Sequence, residues 1–318
     1  MTVIAITGET DLHSLEVMSC LRAKGVDTFL LDFSKFPRDL EIGFRQGVVI
    51  RSGDTTITQG QIQSVLYRRP SMPQVASQDP CIREYVERES QFFLDALPHI
   101  ILVPWVSDPD AVRIAMRKPY QLIVARRLGF HIPETIFGNS QEAVEQFISS
   151  RDGEFAAKAV HRTYIRVDEE KGPLGVYTQR LTREQVQRRL DRVRYCPLIF
   201  QEYVPKEFEL RVTVVGSQVF TCAIHSQQNE RTKVDWRNYD IPNTPHEVYK
   251  LPDRVSDLCI ALVQQLGLMF GAIDMVVTPD GEYVFLEINP VGQWLWIEEL
   301  TKLPITSSIA DLLIDEKG

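Results

Sequence analysis

The sequence predicts an α/β fold of several packed units with a mixed α+β central part, and three observations support this. With 318 residues, the chain is too long for one ordinary core and fits about two or three units. Strand and helix patterns alternate over its first third, which is typical of an open α/β unit. Two apolar runs near the C-terminus flank a Pro-Asp-Gly turn, which is typical of a β-hairpin. We therefore expect three units, over residues 1–105, 106–195 and 196–318.

The composition is typical of a globular protein without a membrane span. Hydrophobic residues make up 44% and charged residues 25%, and no apolar stretch reaches the ~18 residues of a spanning helix. The first residues lack the charged segment and cleavage site of a secretion signal, so we expect a cytoplasmic protein with no membrane partner. The net charge of −8 argues against nucleic-acid partners, although a local basic groove is compatible with it. The five cysteines have no C-x-x-C spacing, so neither a zinc site nor a disulfide framework is indicated.

The N-terminal unit begins as strand, helix, strand. The pattern predicts strands at 3–7 and 28–32 around an amphipathic helix at 12–24. The elements expected next are a hairpin-like region at 40–44, 47–52 and 55–58, a strand at 65–69 closed by Pro70, a helix at 81–97 and a strand at 100–103. Pro104 marks the expected edge of the unit. Gly8 follows the first strand without a G-x-G-x-x-G or Walker pattern, so no Rossmann-type cofactor site is expected.

The two remaining units mix helices and strands. For the central unit we expect helices at 108–128, 140–150 and 182–192, strands at 134–137, 155–160 and 176–178, and a mobile loop at 161–175. Thr182 fits the N-cap of the third helix. For the last unit we expect strands at 197–204, 210–215 and 218–225, a polar excursion at 226–247, a helix at 256–266, and a hairpin of strands 271–277 and 283–289.

Three oxygen-bearing side chains in the last hairpin form a candidate metal site. Glu287 and Asn289 share one face of their strand because side chains alternate, and Asp274 on the neighbouring strand can converge with them. Two carboxylates and an amide oxygen suit one or two Mg²⁺ ions that bridge the phosphates of ATP. A solvated outward position is the alternative for Asp274 alone. Its place inside an apolar run argues against that alternative, because an uncompensated buried carboxylate is costly.

Two lysines are candidate phosphate ligands. Lys158 lies on a short strand with small apolar neighbours that would hold its ammonium group against a nucleotide. Lys118 precedes Pro119 in a predicted helix and is the second candidate. For each residue alone, a surface lysine whose stem covers apolar area is the alternative.

A nucleoside could be recognised by the segment that follows these lysines. The run Gln201, Glu202, Tyr203 and Val204 ends a buried strand in a linker whose backbone and carboxylate could contact an adenine edge. Glu209 and Arg211 follow on one face of the next strand. A carboxylate there can bind ribose hydroxyls, and a guanidinium can bind a phosphate or acyl-phosphate oxygen. An ordinary cross-strand ion pair is the competing explanation.

Together these residues resemble the ATP-grasp superfamily over nearly the whole chain. The ordered set is Lys118, Lys158, Gln201, Glu202, Tyr203, Val204, Glu209, Arg211, Asp274, Glu287 and Asn289. A second group of motifs is similar to the microviridin-type peptide maturases of that superfamily, the graspetide synthetases. They are Tyr67-Arg68-Arg69-Pro70, Lys118-Pro119-x-Gln121-Leu122, Ser226-Gln227 leading to Asp235-Trp236-Arg237, and Asn289-Pro290-x-Gly292-Gln293-Trp294-x-Trp296-x-Glu298.

This resemblance implies an ATP-grasp fold with ATP between its central and C-terminal parts. It further implies a ligase that activates an Asp or Glu side chain of a precursor peptide as an acyl phosphate, which a Thr or Ser hydroxyl or a Lys amine then captures. Lys118 and Lys158 would bind the α- and β-phosphates, and Lys233 would reach the γ-phosphate. Arg211 and Arg237 would stabilise developing charge or the substrate carboxylate. No protein nucleophile is required, because positioning and charge neutralisation carry such chemistry.

The partner implied by the resemblance is a peptide with a leader and an acid-rich core, and a homodimer is implied as well. We expect peptide contacts from Arg162, Arg166 and Asp168 in the 161–175 loop, with Arg237 closer to the reacting groups. The charged helix that begins at Thr182 could also contact the peptide, although a solvated surface helix is its alternative. For the Trp294 and Trp296 pair, core packing is the alternative to a direct role.

Two other functions compete with this interpretation. The first is a RimK-like ligase that adds free amino acids to a protein or peptide terminus. The second is a peptide-binding module that keeps the fold without catalysis. Asp274, Glu287 and Asn289 argue against the second, because loss of catalysis would most easily begin with the metal ligands.

Overall fold

The computed structural model describes residues 1–161, 164–168, 172–238 and 240–315. Its strands form five sheets within those ranges. No helix of the described residues is long and apolar enough to cross a membrane.

The N-terminal unit is built on a parallel sheet in the order β2-β1-β6-β7. A separate antiparallel sheet in the order β3-β4-β5 carries the hairpin-like region. The elements are β1 (Thr2–Ile6), α1 (Leu12–Ala23), β2 (Asp27–Leu31), β3 (Glu41–Phe44), β4 (Val48–Ser52), β5 (Thr55–Thr58), β6 (Ile62–Tyr67), α2 (Pro80–Leu94), α3 (Leu97–Ile100) and β7 (Trp105–Val106).

The central unit surrounds an antiparallel sheet in the order β12-β9-β13-β8. Its elements are α4 (Pro109–Ala115), α5 (Lys118–Leu128), β8 (Thr135–Gly138), α6 (Gln141–Ser149), β9 (Phe155–Ala159), β10 (Tyr164–Asp168), β11 (Gly172–Gly175), β12 (Gln179–Leu181), α7 (Arg183–Gln187) and β13 (Leu198–Glu202). Phe147 of α6 and Phe155 of β9 pack under this sheet. Strands β10 and β11 pair with each other as a hairpin.

The C-terminal unit is an antiparallel sheet in the order β16-β15-β14-β17-β18, covered by helices on both faces. Its elements are β14 (Phe208–Val215), β15 (Gln218–Ile224), β16 (His246–Val248), α8 (Asp253–Gln265), β17 (Phe270–Val277), β18 (Tyr283–Asn289), α9 (Leu295–Thr301) and α10 (Ile305–Ile314). Side chains alternate along β14, so Leu210, Val212 and Val214 enter the core beneath α8 while Glu209 and Arg211 occupy the opposite face.

The N-terminal and C-terminal units share one hydrophobic core. Val3 of β1 and Val17 of α1 belong to the same buried cluster as Phe270, Trp294 and Ile309. The indole of Trp294 is 1% exposed and donates to Thr306 at 3.0 Å. Core packing is therefore the role of Trp294.

The central unit departs from the sequence-based prediction in four places. The strand expected at 176–178 does not form, since these residues connect β11 to β12. The helix expected at 108–128 is two helices, because the chain breaks at Met116 and Arg117 and Pro119 lacks the N–H that a continuous helix needs. Residues 164–168 and 172–175 pair as strands, whereas a loop was expected over 161–175. The helix expected at 182–192 is only α7, and a 3₁₀ segment follows it at Leu190–Tyr195. Its N-cap prediction is confirmed, since the Thr182 side chain accepts a hydrogen bond from the Gln185 N–H.

The prediction for the end of the N-terminal sheet is also wrong in detail. A strand was expected at 100–103, but α3 ends at Ile100 and the fourth parallel strand is β7, beyond Pro104. The Trp105 indole donates to the Ile101 carbonyl at 3.1 Å, which holds this turn of chain against the sheet. The C-terminal hairpin was predicted correctly, as β17 and β18 pair around a turn in which Gly281 has φ +83°.

Candidate functional site

A cleft between the central sheet and the C-terminal sheet brings together most of the predicted nucleotide ligands. It encloses about 760 Å³ including its open mouth. The predicted residues on its wall are Lys118, Lys158, Gln201, Glu202, Tyr203, Val204, Glu209, Arg237, Asp274 and Glu287. These side chains come from α5, from the paired strands β9 and β13, and from the face of β14, β17 and β18 opposite α8.

Two carboxylates face each other across the β17–β18 hairpin. Asp274 of β17 is directly opposite Glu287 of β18 in the strand register, so both point to the cleft. Asp274 accepts from the Arg211 guanidinium at 2.8 Å, and Glu287 accepts from the Lys118 ammonium at 2.8 Å. Each carboxylate therefore forms an ion pair with one cationic side chain when no ligand is bound.

The pKa values of these two carboxyls move in opposite directions. Burial raises the pKa of Asp274, and Arg211 only partly opposes this effect. Burial alone would also raise the pKa of Glu287, but Lys118, Arg237 and Lys158 lower it to about 2. Glu287 is therefore the carboxylate whose negative charge is held most firmly.

The third predicted metal ligand, Asn289, ends β18 and is not on the cleft wall. Its side-chain oxygen accepts from the Val291 N–H at 3.0 Å, which turns the chain after the strand. Among the described residues, no group of three or more His, Cys, Asp and Glu side chains could hold a metal. A magnesium site here therefore depends on the opposed pair Asp274 and Glu287, with an amide or phosphate oxygen completing it.

Helix α5 is fixed to strand β18 by a buried glutamine. Gln121 is 2% exposed. Its side-chain nitrogen donates to the carbonyls of Ala115 at 2.6 Å and Ile288 at 2.8 Å, and its oxygen accepts from the Ile288 N–H at 3.2 Å. These bonds place Lys118, the first residue of α5, beside Glu287. A helix N-terminus and a lysine together favour an anion at this point.

Lys158 differs from the other cleft cations because its partner is uncharged. Its ammonium group donates to the Gln201 side-chain oxygen at 2.7 Å, and Gln201 in turn donates to Thr135 at 2.9 Å. Among the side chains that the structure describes, no carboxylate forms an ion pair with Lys158. Burial lowers the pKa of Lys158 to about 8, although Glu287 opposes the shift. A phosphate would supply the missing countercharge.

Arg211 lies just behind the cleft and joins the hairpin to the loop that follows it. Its side chain binds Asp274 and donates weakly to the Gln293 carbonyl at 3.5 Å. The loop approaches so closely that a Cβ on Gly292 would be 2.3 Å from the Ala272 Cβ and 3.1 Å from an Arg211 nitrogen. Only glycine fits at position 292 without displacing its neighbours.

Arg237 is held on the cleft wall by an aspartate two residues earlier. The Asp235 carboxylate accepts from the Arg237 guanidinium at 2.8 and 2.7 Å and from the Thr178 N–H at 3.0 Å. Burial alone would raise the pKa of Asp235, but Arg237 lowers it well below its usual range. The pair is ionised, and the remaining guanidinium edge is available to a ligand.

Glu209 pairs with a lysine that the sequence analysis did not select. Lys206 donates to Glu209 and to the Val234 carbonyl, both at 2.9 Å, and Ser226 donates to the same Glu209 oxygen at 2.9 Å. Burial raises the pKa of Glu209, which Lys206 opposes. A lysine three residues before Glu209 was the sequence signal for this contact. The alternative considered for Glu209 and Arg211, an ordinary cross-strand ion pair, is confirmed for Arg211, which pairs with Asp274 directly opposite it on β17.

Other predicted residues lie away from the cleft wall. Lys233 forms an ion pair with Glu230 and is partly exposed. Arg162 lies outside the described residues, and of Arg166 and Asp168 only the backbone, in β10, is described. Residues that the sequence analysis gave no separate role, Lys206, Asp235 and Trp236, do contribute to the wall.

Comparison with known protein families identifies this arrangement. The RimK-like ATP-grasp domain matches residues 118–313, which is more than half of the chain. The chain belongs to the RimK-like ATP-grasp family. It is an ATP-grasp ligase, of the type that forms ADP, and the α/β ATP-grasp fold expected from the sequence is confirmed.

Solved structures of other ATP-grasp ligases match the whole chain. The macrocyclase MdnC from Microcystis aeruginosa MRC, bound with the precursor peptide MdnA, is 32% identical, with a TM-score of 0.85 over 99% of each chain. A RiPP-associated ATP-grasp ligase from Chryseobacterium gregarium, in complex with ADP and a leader and core peptide, is 28% identical, with a TM-score of 0.90 over 100% of this chain and 97% of that one. The macrocyclase MdnB from M. aeruginosa MRC is 31% identical, with a TM-score of 0.79 over 98% of this chain and 99% of that one. Comparison with curated proteins gives no significant match.

Proposed function

We propose that this ATP-grasp ligase is a macrocyclase of a ribosomally made precursor peptide. It would activate Asp or Glu side chains as acyl phosphates and join them to Thr or Ser hydroxyls as ω-esters, or to Lys amines as ω-amides. The observation that carries the proposal is the similarity to MdnC, which extends over 99% of both chains at 32% identity. Similarity restricted to the ATP-grasp domain would support only the ligase class.

We propose one orientation for ATP in the cleft. The linker from Gln201 to Val204 would contact the adenine edge, and Glu209, whose carboxylate lies on the same wall, would bind ribose hydroxyls. Lys118 and Lys158 would bind the α- and β-phosphates, and Lys233 would reach the γ-phosphate after leaving Glu230. The charges support this orientation, because Lys118 lies beside Glu287 and so near the opposed carboxylates.

Magnesium is part of the proposal, and the donor set fits it. Asp274 and Glu287 are opposed carboxylates with hard oxygen donors, and Asn289 could add an amide oxygen after a change of its turn. One or two bound Mg²⁺ ions would neutralise phosphate charge. Arg211 and Lys118, which pair with these acids in the protein alone, would then be free to contact phosphate or substrate oxygens.

The proposed reaction has two steps. A peptide carboxylate oxygen attacks the γ-phosphorus of ATP, the bond to the β-phosphate oxygen breaks, and ADP leaves. A hydroxyl or amine of the same peptide then attacks the acyl carbon, loses its proton and expels inorganic phosphate. Arg237 and Arg211 would hold the carboxylate and stabilise the charge that develops on its oxygens. The net change in the peptide is the loss of one water per ring.

The substrate would be a peptide with a leader and an acid-rich core. We extend the proposal to Arg162, Arg166 and Asp168, which would contact the peptide from the segment that includes β10 and β11. A leader bound beside this hairpin would order it over ATP. Cyclisation of a leader-free core at the rate of the full precursor would overturn this part. The homodimer and the cytoplasmic location remain predictions.

The test uses the short Thr- and acid-rich peptide expected from the reading frame beside this gene. Incubation with ATP and Mg²⁺ should lower the peptide mass by one or more waters, as measured by mass spectrometry. Asp274→Ala and Glu287→Ala should abolish the loss. Glu282→Ala is the matched control, because this exposed carboxylate lies on the same hairpin near its turn. Dehydration that survives in both cleft variants would overturn the magnesium assignment.

The same experiment separates the alternatives. A RimK-like amino-acid ligase, which the family match also favours, would increase the mass of an acceptor by whole residues when free amino acids are supplied. A non-catalytic peptide-binding module would leave both ATP and the peptide unchanged. Either result would replace the macrocyclase proposal.

A further inference from the structure

A second cavity lies at the edge of the N-terminal sheet. It is lined after β1 by Thr10 and Asp11, after β6 by Arg69, and across the domain contact by Gln293 and Trp296. Its volume including the open mouth is about 940 Å³. The chain leaves β1 for β2 on one side while β6 lies on the other, so this is the point where connections diverge at the carboxyl ends of parallel strands. Open α/β sheets typically bind ligands there.

The charge available to a ligand in this cavity is positive. The Asp11 carboxylate is already used, since it accepts from Ser14 at 2.6 Å and from the buried Arg68 at 3.1 Å. His13 is neutral at physiological pH, because burial and Arg68 lower its pKa to about 4. Arg69 is exposed, and its side chain has no hydrogen bond or ion pair with the residues that the structure describes. Its guanidinium is therefore the free charge on the cavity wall.

The backbone of Arg69 is in an unfavourable conformation. Its φ is +44°, in the left-handed region that glycine and asparagine adopt more readily. Such a conformation is strained in a residue with a long side chain and is often kept for function. The turn alone would be better served by asparagine. A binding role explains why an arginine is kept there.

The cavity adjoins the ATP cleft. The ring of Trp296 on the cavity wall lies 5.2 Å from the ring of Trp236, which lines the cleft. The Gln293 carbonyl, on the same wall, accepts from Arg211, whose partner Asp274 faces the cleft. One layer of side chains thus separates the two spaces. An extended peptide can place one carboxylate in the cleft and a neighbouring segment in the cavity.

We propose that this cavity binds an acidic segment of the peptide substrate and that Arg69 pairs with one of its carboxylates. Leu12, which is 66% exposed, and Trp296 supply an apolar surface for the intervening side chains. A planar guanidinium suits bidentate recognition of a carboxylate. The inference rests on the proposed function for the source of the peptide, but the recognition chemistry can be measured without turnover.

The test compares two short blocked peptides, one of three glutamates and one of three glutamines, titrated by calorimetry into the protein with Mg²⁺ and ADP. The wild type should bind the glutamate peptide at least about tenfold more tightly, as expected for one desolvated charge pair. Arg69→Asn should lose this preference while its melting temperature stays equal or rises, because asparagine tolerates the backbone conformation. Arg45→Asn, an exposed arginine in the same domain with no partner in the described residues, is the matched control and should keep the preference.

Equal binding of the two peptides by the wild type would overturn the inference, as would a preference that survives in Arg69→Asn. A fall in melting temperature with loss of ADP binding in Arg69→Asn would also overturn it, since the arginine would then serve the fold. Failure of the proposed function gives a different result. In that case the glutamate preference and its dependence on Arg69 persist, while no precursor peptide loses water.

Discussion

At the scale of single residues, three cations at the cleft are paired with carboxylates in the absence of a nucleotide. Lys118 pairs with Glu287, Arg211 with Asp274, and Arg237 with Asp235. Binding of ATP with a metal would exchange these partners, since phosphates attract the cations and Mg²⁺ attracts the acids. Such an exchange keeps the charges of these three pairs compensated in both states.

Lys158 gives a pH dependence with a defined sign. Its pKa of about 8 in the free protein means that it loses its proton as the pH rises above that value. If protonated Lys158 binds a phosphate of ATP as proposed, affinity for ATP should be nearly constant well below pH 8 and should fall above it by up to about tenfold per pH unit. Calorimetric titrations of ATP with Mg²⁺ across this range measure the effect. Lys158→Arg should bind with no such slope, and an identical slope in both proteins would contradict the assignment.

Gly292 provides a test of close packing beside Arg211. Gly292→Ala should lower the free energy of unfolding by roughly 1–3 kcal/mol, because the new Cβ would overlap the Ala272 Cβ. Ala272→Gly in the same chain removes that overlap and should restore part of the loss. Urea unfolding of the two single variants and the double variant measures this. Additive losses, with no rescue, would show that the close approach is not the cause.

The residue types of the cleft were predictable from the sequence, but their partners were not. Lys158, Glu209, Asp274 and Glu287 were selected because charged side chains occur in apolar strand patterns. Spacing within a strand cannot reveal which residue on another element approaches. The pair of Lys206 with Glu209 depends on how the turn after Val204 folds back, which the sequence pattern does not specify.

At the scale of elements, α5 and β18 act as one unit through Gln121. Two of the three bonds of this side chain satisfy the backbone N–H and carbonyl of Ile288 on the edge strand of the sheet, and the third is to the Ala115 carbonyl. Edge strands have unpaired backbone groups that need such partners when buried. The same contact sets the position of Lys118 relative to Glu287.

Gln121→Met should therefore weaken both stability and nucleotide binding. Methionine fills a similar volume but leaves buried backbone groups without partners, which costs about 1–3 kcal/mol per group. We expect a lower free energy of unfolding in urea and a weaker affinity for ADP with Mg²⁺. Gln264→Met, on the exposed face of α8, is the control and should change neither. A loss of stability with unchanged ADP affinity would show that Gln121 does not position Lys118.

The success of element prediction depended on local signals. The β17–β18 hairpin was predictable because two apolar runs flank a turn with Pro279 and Gly281. The break between α4 and α5 was missed because apolar periodicity continues across Met116. The pairing of β10 with β11 was missed because this segment is rich in glycine and charge, and its strands pair only with each other.

At the scale of the whole molecule, Arg68 links the N-terminal unit to the loop that follows strand β18. It is 2% exposed and donates to the carbonyls of Val291 and Gly292, both at 2.8 Å, as well as to Asp11. Its guanidinium lies 4.7 Å from the ring centre of Trp294. The position of the loop behind the ATP cleft therefore depends on the N-terminal unit. Among the described residues, that unit supplies none of the side chains on the cleft wall.

A double-mutant cycle tests this link. Arg68→Met alone should cost about 3–5 kcal/mol of stability, because it leaves the Asp11 carboxylate uncompensated. The double variant with Asp11→Asn should lose less stability than the sum of the two single losses. Asparagine still caps α1, and it carries no charge that Arg68 would have to compensate. The exposed pair Arg38 and Asp39 is the control, and its cycle should give a much smaller coupling than the cycle of Arg68 and Asp11. Strictly additive losses for Arg68 and Asp11 would contradict the link.

The family was predictable from the sequence because its motifs are distributed along the whole chain. The way the units contact each other was not, since it depends on single side chains such as Arg68 and Trp294 that also fit ordinary core positions. The second cavity was missed for the same reason. Arg69 occurs within a recognised motif, but only the backbone angle and the missing partner distinguish it from Arg68.

In the proposed function, this ligase activates a side-chain carboxylate of a peptide with ATP. The most direct measurement uses a precursor peptide whose Asp and Glu side chains carry heavy oxygen. Formation of an acyl phosphate transfers one labelled oxygen to inorganic phosphate for each ring closed, and mass spectrometry of the phosphate should find that label in equal amount to the water lost. Ring closure that leaves the phosphate unlabelled would show that the ring does not form through an acyl phosphate.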